Sequence, residues 1–254
     1  MMTTPVSTVA LVTDAASTVG RAIALALAQQ GWDLALHYQE DPAPAALLQE
    51  CLALGVRAVA IRCDLNRETE IQALLPRVVQ ELGAVGCIVN NASHVEYDNA
   101  ATLSAASLER HMQSNLTAPL LLAQALHAAT LKTEGAHAMV INLLDQKLFN
   151  PHPDFLSYTL SKAALHSATA LLAQAYAPQL RVVAIAPSLA SSLNATGGAQ
   201  SKQPATLEDI AATVCFVASS SAITGSTLLV DGGQHLYPHP RDLAAVPGQP
   251  SHPH

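Results

Sequence analysis

Tyr158 and Lys162 stand four residues apart, and Asp145 precedes the tyrosine by thirteen at the end of an apolar, strand-like run. Residues at i and i+4 share one face of a helix. A helix beginning near Phe155 would therefore hold the Lys162 ammonium beside the Tyr158 phenol. A free phenol titrates near 10, and an adjacent cation favours phenolate, lowering that value by roughly 1 to 3 units. The spacing predicts a phenol tuned downward to act as a general acid near neutral pH. The same pair on a solvated helix face would do no chemistry, so the elements that position it have to decide.

Short β-branched runs alternate along the chain with longer helical patterns. Strands are expected over residues 7–13, 34–38, 58–62, 87–90, 138–143, 182–186 and 227–230. Most are continuously apolar, as strands covered on both faces are. Helices are expected over 18–30, 43–54, 67–82, 103–130, 155–177 and 207–218. Such alternation predicts an α/β fold, a Rossmann-type doubly wound parallel sheet with helices on both faces. Residues 1–237 read as one domain, and the Pro- and His-rich stretch 238–254 reads as a tail without helical or strand period.

Composition agrees with one large core. The 254 residues are 50% apolar, enough to bury roughly 70 to 75% of the surface an unfolded chain exposes. Charged residues are 12%, the net charge is −7, and Lys and Arg form no stripe, which argues against nucleic acid as a partner. No apolar run reaches bilayer-spanning length, and residues 1–7 lack the features of a signal peptide, so a cytoplasmic protein with no membrane partner is expected. Cys51, Cys63, Cys87 and Cys215 have no metal-ligand spacing and read as reduced, core-forming thiols. No metal site is expected, in the histidine-bearing tail or elsewhere.

In a doubly wound sheet, ligands bind beyond the carboxyl ends of the strands, where strand order reverses. The first strand leads into Thr13-Asp14-Ala15-Ala16-Ser17-Thr18-Val19-Gly20 ahead of a helix. Small residues at such a turn let backbone N–H groups and a helix N-terminus approach a pyrophosphate. An ordinary strand-to-helix turn capped by Ser17 or Thr18 would use the same residues.

Taken in order, the Thr13–Gly20 turn, Asp64-Leu65, Asn90-Asn91-Ala92-Ser93, Asn115, Asp145, Tyr158, Lys162 and Asp231-Gly232-Gly233 resemble the short-chain dehydrogenase/reductase family over Val6 to about Leu236. The resemblance implies an NAD(P)-dependent oxidoreductase, binding NADP(H) or NAD(H) and a small-molecule substrate. Its catalytic residues would be Asn115, Asp145, Tyr158 and Lys162. The implied cofactor contacts are Thr13, Ser17, Thr18, Gly20, His37, Tyr38, Asp64, Leu65, Asn91, Ala92, Ser93, Pro187 and Ser188, with Tyr158 and Lys162 again. In that scheme Asp64 meets the adenine edge, Asn115 holds a water leading towards Lys162, and Tyr158 protonates substrate while hydride arrives from the nicotinamide. The family also pairs its long helices across twofold axes, which implies a homotetramer or homodimer here, and the Leu- and Ala-rich stretches 103–130 and 155–177 fit that habit.

Asp145 stands where most of the family carries serine, and an ionised carboxylate only accepts hydrogen bonds. Aspartate there, with Leu36-His37-Tyr38 and Asn91-Ala92-Ser93, is similar to the pteridine reductase-like subgroup, which implies a pterin or related C=N substrate. A carbonyl reductase or alcohol dehydrogenase of the same family, and a catalytically silent nucleotide-binding relative, are the alternatives. The chain also departs from the pattern. Asp14 replaces the first glycine of the phosphate turn and puts negative charge beside an anionic ligand. Thr18 and Val95 replace an arginine and an aromatic ring of pterin-reducing relatives. Tyr38-Gln39-Glu40-Asp41 offers no base to a 2′-phosphate, so the local charges favour NADH while the subgroup favours NADPH. Residues 187–204 are expected to form the loop over substrate, with His94, Tyr97, Phe149 and Phe155 as candidate lining residues.

Overall fold

Valine, isoleucine and leucine alternate sides along each strand, so a strand with helices on both faces buries every position. The first strand does this: Val9 to Val12 are all buried. Ala10 and Val12 pack with Ile23, Leu27, Ile210 and Val214, and Val9 and Leu11 pack with Ile71, Leu74, Val78, Leu122 and Leu126 on the opposite face. The computed structural model describes residues 8–151, 153–188 and 205–236. Expectations for Ser7, for the loop over 189–204 and for the tail over 238–254 fall outside these residues.

Seven strands, β1 (Val9–Val12), β2 (Asp33–Tyr38), β3 (Ala58–Arg62), β4 (Cys87–Asn90), β5 (Ala138–Leu143), β6 (Leu180–Pro187) and β7 (Thr227–Val230), form one parallel sheet. Their order is β3-β2-β1-β4-β5-β6-β7. The helices are α1 (Thr18–Gln29), α2 (Ala45–Ala53), α3 (Glu68–Leu82), α4 (Ala105–Met112), α5 (Ala118–Thr130), α6 (Leu156–Tyr176) and α7 (Leu207–Ser219). Helices α1, α2 and α7 cover one face, and α3, α5 and α6 the other. The chain winds outward from β1 through β2 to β3, then returns to β4 on the other side of β1. That reversal opens a crevice at the carboxyl ends of β1 and β4.

The one long helix expected over 103–130 is divided. α4 ends at Met112, a π-helical turn spans Gln113–Thr117, and α5 follows. Pro119 supplies the reason. It has no N–H to donate to the carbonyl four residues back, which belongs to Asn115, and its ring crowds that carbonyl. The backbone widens instead, and the Ala118 N–H reaches Gln113 O. A short 3-10 turn, Gln146–Phe149, was also not anticipated, and Asp145 caps it by accepting from Lys147 N at 2.8 Å.

The four cysteines are free and buried. Burial pushes Cys51 and Cys63 up to about 11, helped by neighbouring carboxylates, and Cys87 up to about 12. At such values the thiols are inert core packing, as their sequence context implied.

Candidate functional site

The turn after β1 is a network of short side chains. Thr13 Oγ1 accepts from the backbone N–H groups of Asn91 and Ala92, each at 2.9 Å, and so ties the ends of β1 and β4 together. Asn91 Nδ2 lies 3.0 Å from the oxygens of Thr13, Asp14 and Ser17. Ser17 caps α1, its Oγ accepting from Gly20 N at 3.1 Å. A Cβ on Gly20 would stand 2.2 Å from Asp14 O and 2.8 Å from Asn91 Nδ2, so only glycine closes this turn.

Asp14 has φ 49°, in the left-handed region that glycine enters freely and that aspartate tolerates better than most residues. Its carboxyl is held above the usual carboxylate range by burial, against a hydrogen bond with Ser17 that lowers it. The sheet neighbour His37 holds the turn from behind. His37 Nδ1 accepts from Asp14 N at 3.0 Å, and Nε2 donates to Cys63 O at 2.9 Å. Both ring nitrogens are thereby used, and burial draws the imidazole below its ordinary pKa into the neutral form. His37 shapes the crevice and has no ring nitrogen left to offer a ligand.

The catalytic candidates converge. Tyr158 Oη donates to Asp145 Oδ2 at 3.0 Å. Lys162 Nζ donates to Leu143 O at 2.8 Å, two residues before Asp145 on the same chain segment, and lies 5.9 Å from the centre of the Tyr158 ring. Burial pulls Lys162 down to about 8, with Asp145 opposing.

The tuning of Tyr158 differs from the expectation. Burial raises it well above its ordinary value, and Asp145 adds to the rise through its charge and its hydrogen bond. Burial and a carboxylate that accepts from the phenol both favour its neutral form. Ser93, assigned from sequence to the cofactor alone, opposes this by hydrogen-bonding the same phenol. The sequence singled out both Lys162 and Asp145 as neighbours of this phenol, and what it did not give is which of the two would set the direction of the shift.

Asn115 is placed beside this group with its side chain already occupied. Its Oδ1 accepts from His94 N at 2.7 Å, and its Nδ2 donates to His94 O at 2.9 Å and to Ser161 Oγ at 3.0 Å. It clamps the loop after β4 to α6. The side chain that the resemblance offered to a water is thus bonded to protein groups.

Around the crevice, Asp14, Tyr38, Asn66, Ala92, Ser93 and Ser114 line a volume of about 310 Å³. Asp64 turns one oxygen to Asn66, accepting from its N–H at 2.9 Å and its side chain at 3.0 Å. Leu65 is buried behind it, and Thr18 is exposed at the first position of α1. Pro187 ends β6, and Ser188 Oγ accepts from Ala205 N at 3.1 Å. Of the four candidate lining residues, Tyr97 and Phe155 meet edge to face at 5.2 Å, whereas His94 packs on His111 at 4.6 Å and Phe149 on His166 at 5.5 Å. Arg62 went unnoticed in the sequence. It pairs in register with Tyr38 and donates to Gln39 O at 3.2 Å, beside Asp41 at 3.6 Å. Only the strand pairing puts this base next to the turn after β2.

A nucleotide-binding oxidoreductase of the doubly wound class is what this arrangement defines. The residues fit a dinucleotide: a glycine-closed turn at a helix N-terminus, a crevice at the switch point, and a buried ammonium beside a phenol. Residues 15–235 match the family model described as enoyl-(acyl carrier protein) reductase. A short-chain dehydrogenase/reductase of Armillaria gallica is 32% identical over 251 residues, covering 89% of this chain and 95% of that one. The chain belongs to the short-chain dehydrogenase/reductase family, and it is an NAD(P)-dependent oxidoreductase of that family. Two solved structures, FolM alternative dihydrofolate reductase 1 from Brucella canis and from Brucella suis, both complexed with NADP, superpose with a TM-score of 0.82 each. The first is 30% identical over 95% of this chain and 100% of its own, the second 33% over 93% and 98%.

Proposed function

We infer that the chain reduces a C=N bond in a pterin or related ring. The carrying observation is the Asp145 carboxylate held against the Tyr158 phenol at 3.0 Å. A ketone oxygen wants donors on both sides, and Asp145, when ionised, provides an acceptor. An amino-substituted ring nitrogen edge presents N–H groups, which a carboxylate binds well. The likeness to the two FolM alternative dihydrofolate reductase structures supports the same substrate class.

A nicotinamide cofactor held in the crevice by the Thr13–Gly20 turn would supply hydride chemistry. The residues of the chain handle the rest. As the C=N electron pair moves onto nitrogen, Tyr158 gives that nitrogen its proton, so the products are a C–H and an N–H bond. Lys162, its Nζ 5.9 Å from the centre of the Tyr158 ring, is the buried cation assigned to stabilise the phenolate left behind, and Asp145 orients the ring before the transfer. Asn115 and Ser161 keep the loop and helix in register. NADPH leads as cofactor in this reading. Its FolM relatives hold NADP, and Arg62 places a positive charge beside the ribose-side turn, although Glu40 lines the same crevice.

The test is a substrate panel of dihydropterins, dihydrofolate, small ketones and quinones with NADPH and NADH. Turnover of the dihydro-heterocycles, abolished in Tyr158→Phe while cofactor binding persists, is expected. Faster turnover of the ketones overturns the substrate class, and NADH binding ten times tighter than NADPH overturns the cofactor preference.

A further inference from the structure

Helix α6, which carries Tyr158, has no cap of its own. Its N-cap residue is Phe155, which offers no side-chain hydrogen bond and sits at φ 57°, ψ 47°, a conformation that bulky side chains avoid. The first four N–H groups of a helix have no partner inside it. Three of them turn to one residue on a distant loop. Phe155 N and Leu156 N donate to the backbone oxygen of Asp98 at 2.8 and 3.4 Å, and Ser157 N donates to Asp98 Oδ1 at 3.0 Å. The Ser157 hydroxyl donates to Asp98 Oδ2. Ser107, on α4, reaches the same oxygen at 3.5 Å.

Asp98 is 3% exposed and Ser157 is fully buried. Burial pushes the Asp98 carboxyl up, but the two bonds from Ser157 and the nearby His111 outweigh it and hold the group below its ordinary range. An anion thus faces the positive end of α6, where it is most favoured. The neighbouring Tyr97 adds a second hold, its ring against Phe155 and its hydroxyl on Asp154 at 3.3 Å. The loop from Asn91 to Asp98 is therefore fastened along its whole length. Asn91 binds the phosphate turn, His94 is clamped by Asn115, and Asp98 grips α6.

We propose that Asp98 is the positioning residue for the proton donor: by gripping α6 at Phe155, Leu156 and Ser157, it sets where the next side chain, Tyr158, meets Asp145, and registers the acid against the crevice. A cap within its own segment would travel with the helix, whereas this one ties the helix to the loop that shapes the cofactor site. The kinetic consequence rests on Tyr158 being the proton donor. The geometric consequence does not.

The experiment labels the protein with tyrosine carrying 13C at Cζ and identifies the Tyr158 signal by its loss in Tyr158→Phe. Asp145→Asn then marks how that signal moves when its acceptor changes. Asp98→Asn and Ser157→Ala are expected to move it in the same direction. They are also expected to lower kcat by about tenfold, the scale of a small misplacement, for whichever panel substrate the wild type reduces, with dinucleotide affinity kept. A cap that merely stabilised the helix would lower the melting temperature and leave the signal in place. That result, in either folded variant, overturns the proposal. Should Asp98→Asn not fold, Ser157→Ala decides alone. An unmoved signal in Asp145→Asn also overturns it, because the contact being positioned would be absent. Normal turnover in Tyr158→Phe would overturn the proposed function, and the labelled signal would still judge the role of Asp98.

Discussion

Lys162 is drawn down to about 8 by burial, while the phenol of Tyr158 stays protonated far above that. The sign follows from the charged form. The ammonium is present below pH 8 and lost above it, so reductive kcat/KM should hold to about pH 8 and then fall. A rate profile flat to pH 10 contradicts this. Lys162→Arg, whose guanidinium stays charged, should move the falling limb to higher pH in whatever activity it retains. Asp14 makes a second residue-scale prediction. Its carboxyl lines the crevice beside the N-terminus of α1, where it competes with an anionic ligand. Asn tolerates the φ of 49° that the turn needs, so Asp14→Asn should tighten dinucleotide binding by about tenfold, the scale of one removed like-charge contact near a surface. Fluorescence titration measures it, and the advantage should shrink towards acid pH as Asp14 itself loses its charge. Unchanged affinity would mean the carboxylate costs nothing.

At the scale of elements, most of the fold was legible because strand and helix periodicity are local properties. The strand over Cys87–Asn90 and the helix over Leu156–Tyr176 lie within a residue or so of where apolar patterning put them. The break at Asn115 was legible in principle too, since Pro119 cannot donate, but the strong Leu and Ala pattern through 103–130 masked it. Restoring the donor is a direct test. Pro119→Ala should let the Asn115 carbonyl regain its α-helical bond, raise the melting temperature, and lower kcat about tenfold by moving the Asn115 clamp. A gain in stability without loss of rate would show that the π turn is incidental to catalysis.

At the scale of the molecule, no described helix is long and apolar enough to cross a membrane, yet apolar side chains remain on the outer helices. Leu160 and Leu171 of α6 are 41% and 64% exposed, and Phe216 of α7 is 56% exposed. A helix face of this kind is a candidate for self-association. We predict a homotetramer in sedimentation, about four times the 26.5 kDa chain mass, and a monomer would refute it. Leu171→Glu should weaken that assembly while leaving the fold intact.

The order of Asn91, Asn115, Asp145, Tyr158 and Lys162 already carried the resemblance to the family, and the four-residue spacing of Tyr158 and Lys162 already put two candidate groups on one helix face, because helical periodicity is a local property. What those groups do to one another was decided only in three dimensions. Burial and the Asp145 carboxylate raise a phenol that Lys162 was expected to lower, His37 spends both nitrogens behind the phosphate turn, Arg62 arrives beside Tyr38 through strand pairing, and Asp98 caps a helix nearly sixty residues further on. Each of these depends on burial or on contact between remote segments. Desolvation and through-space charge act on distances that no local pattern encodes.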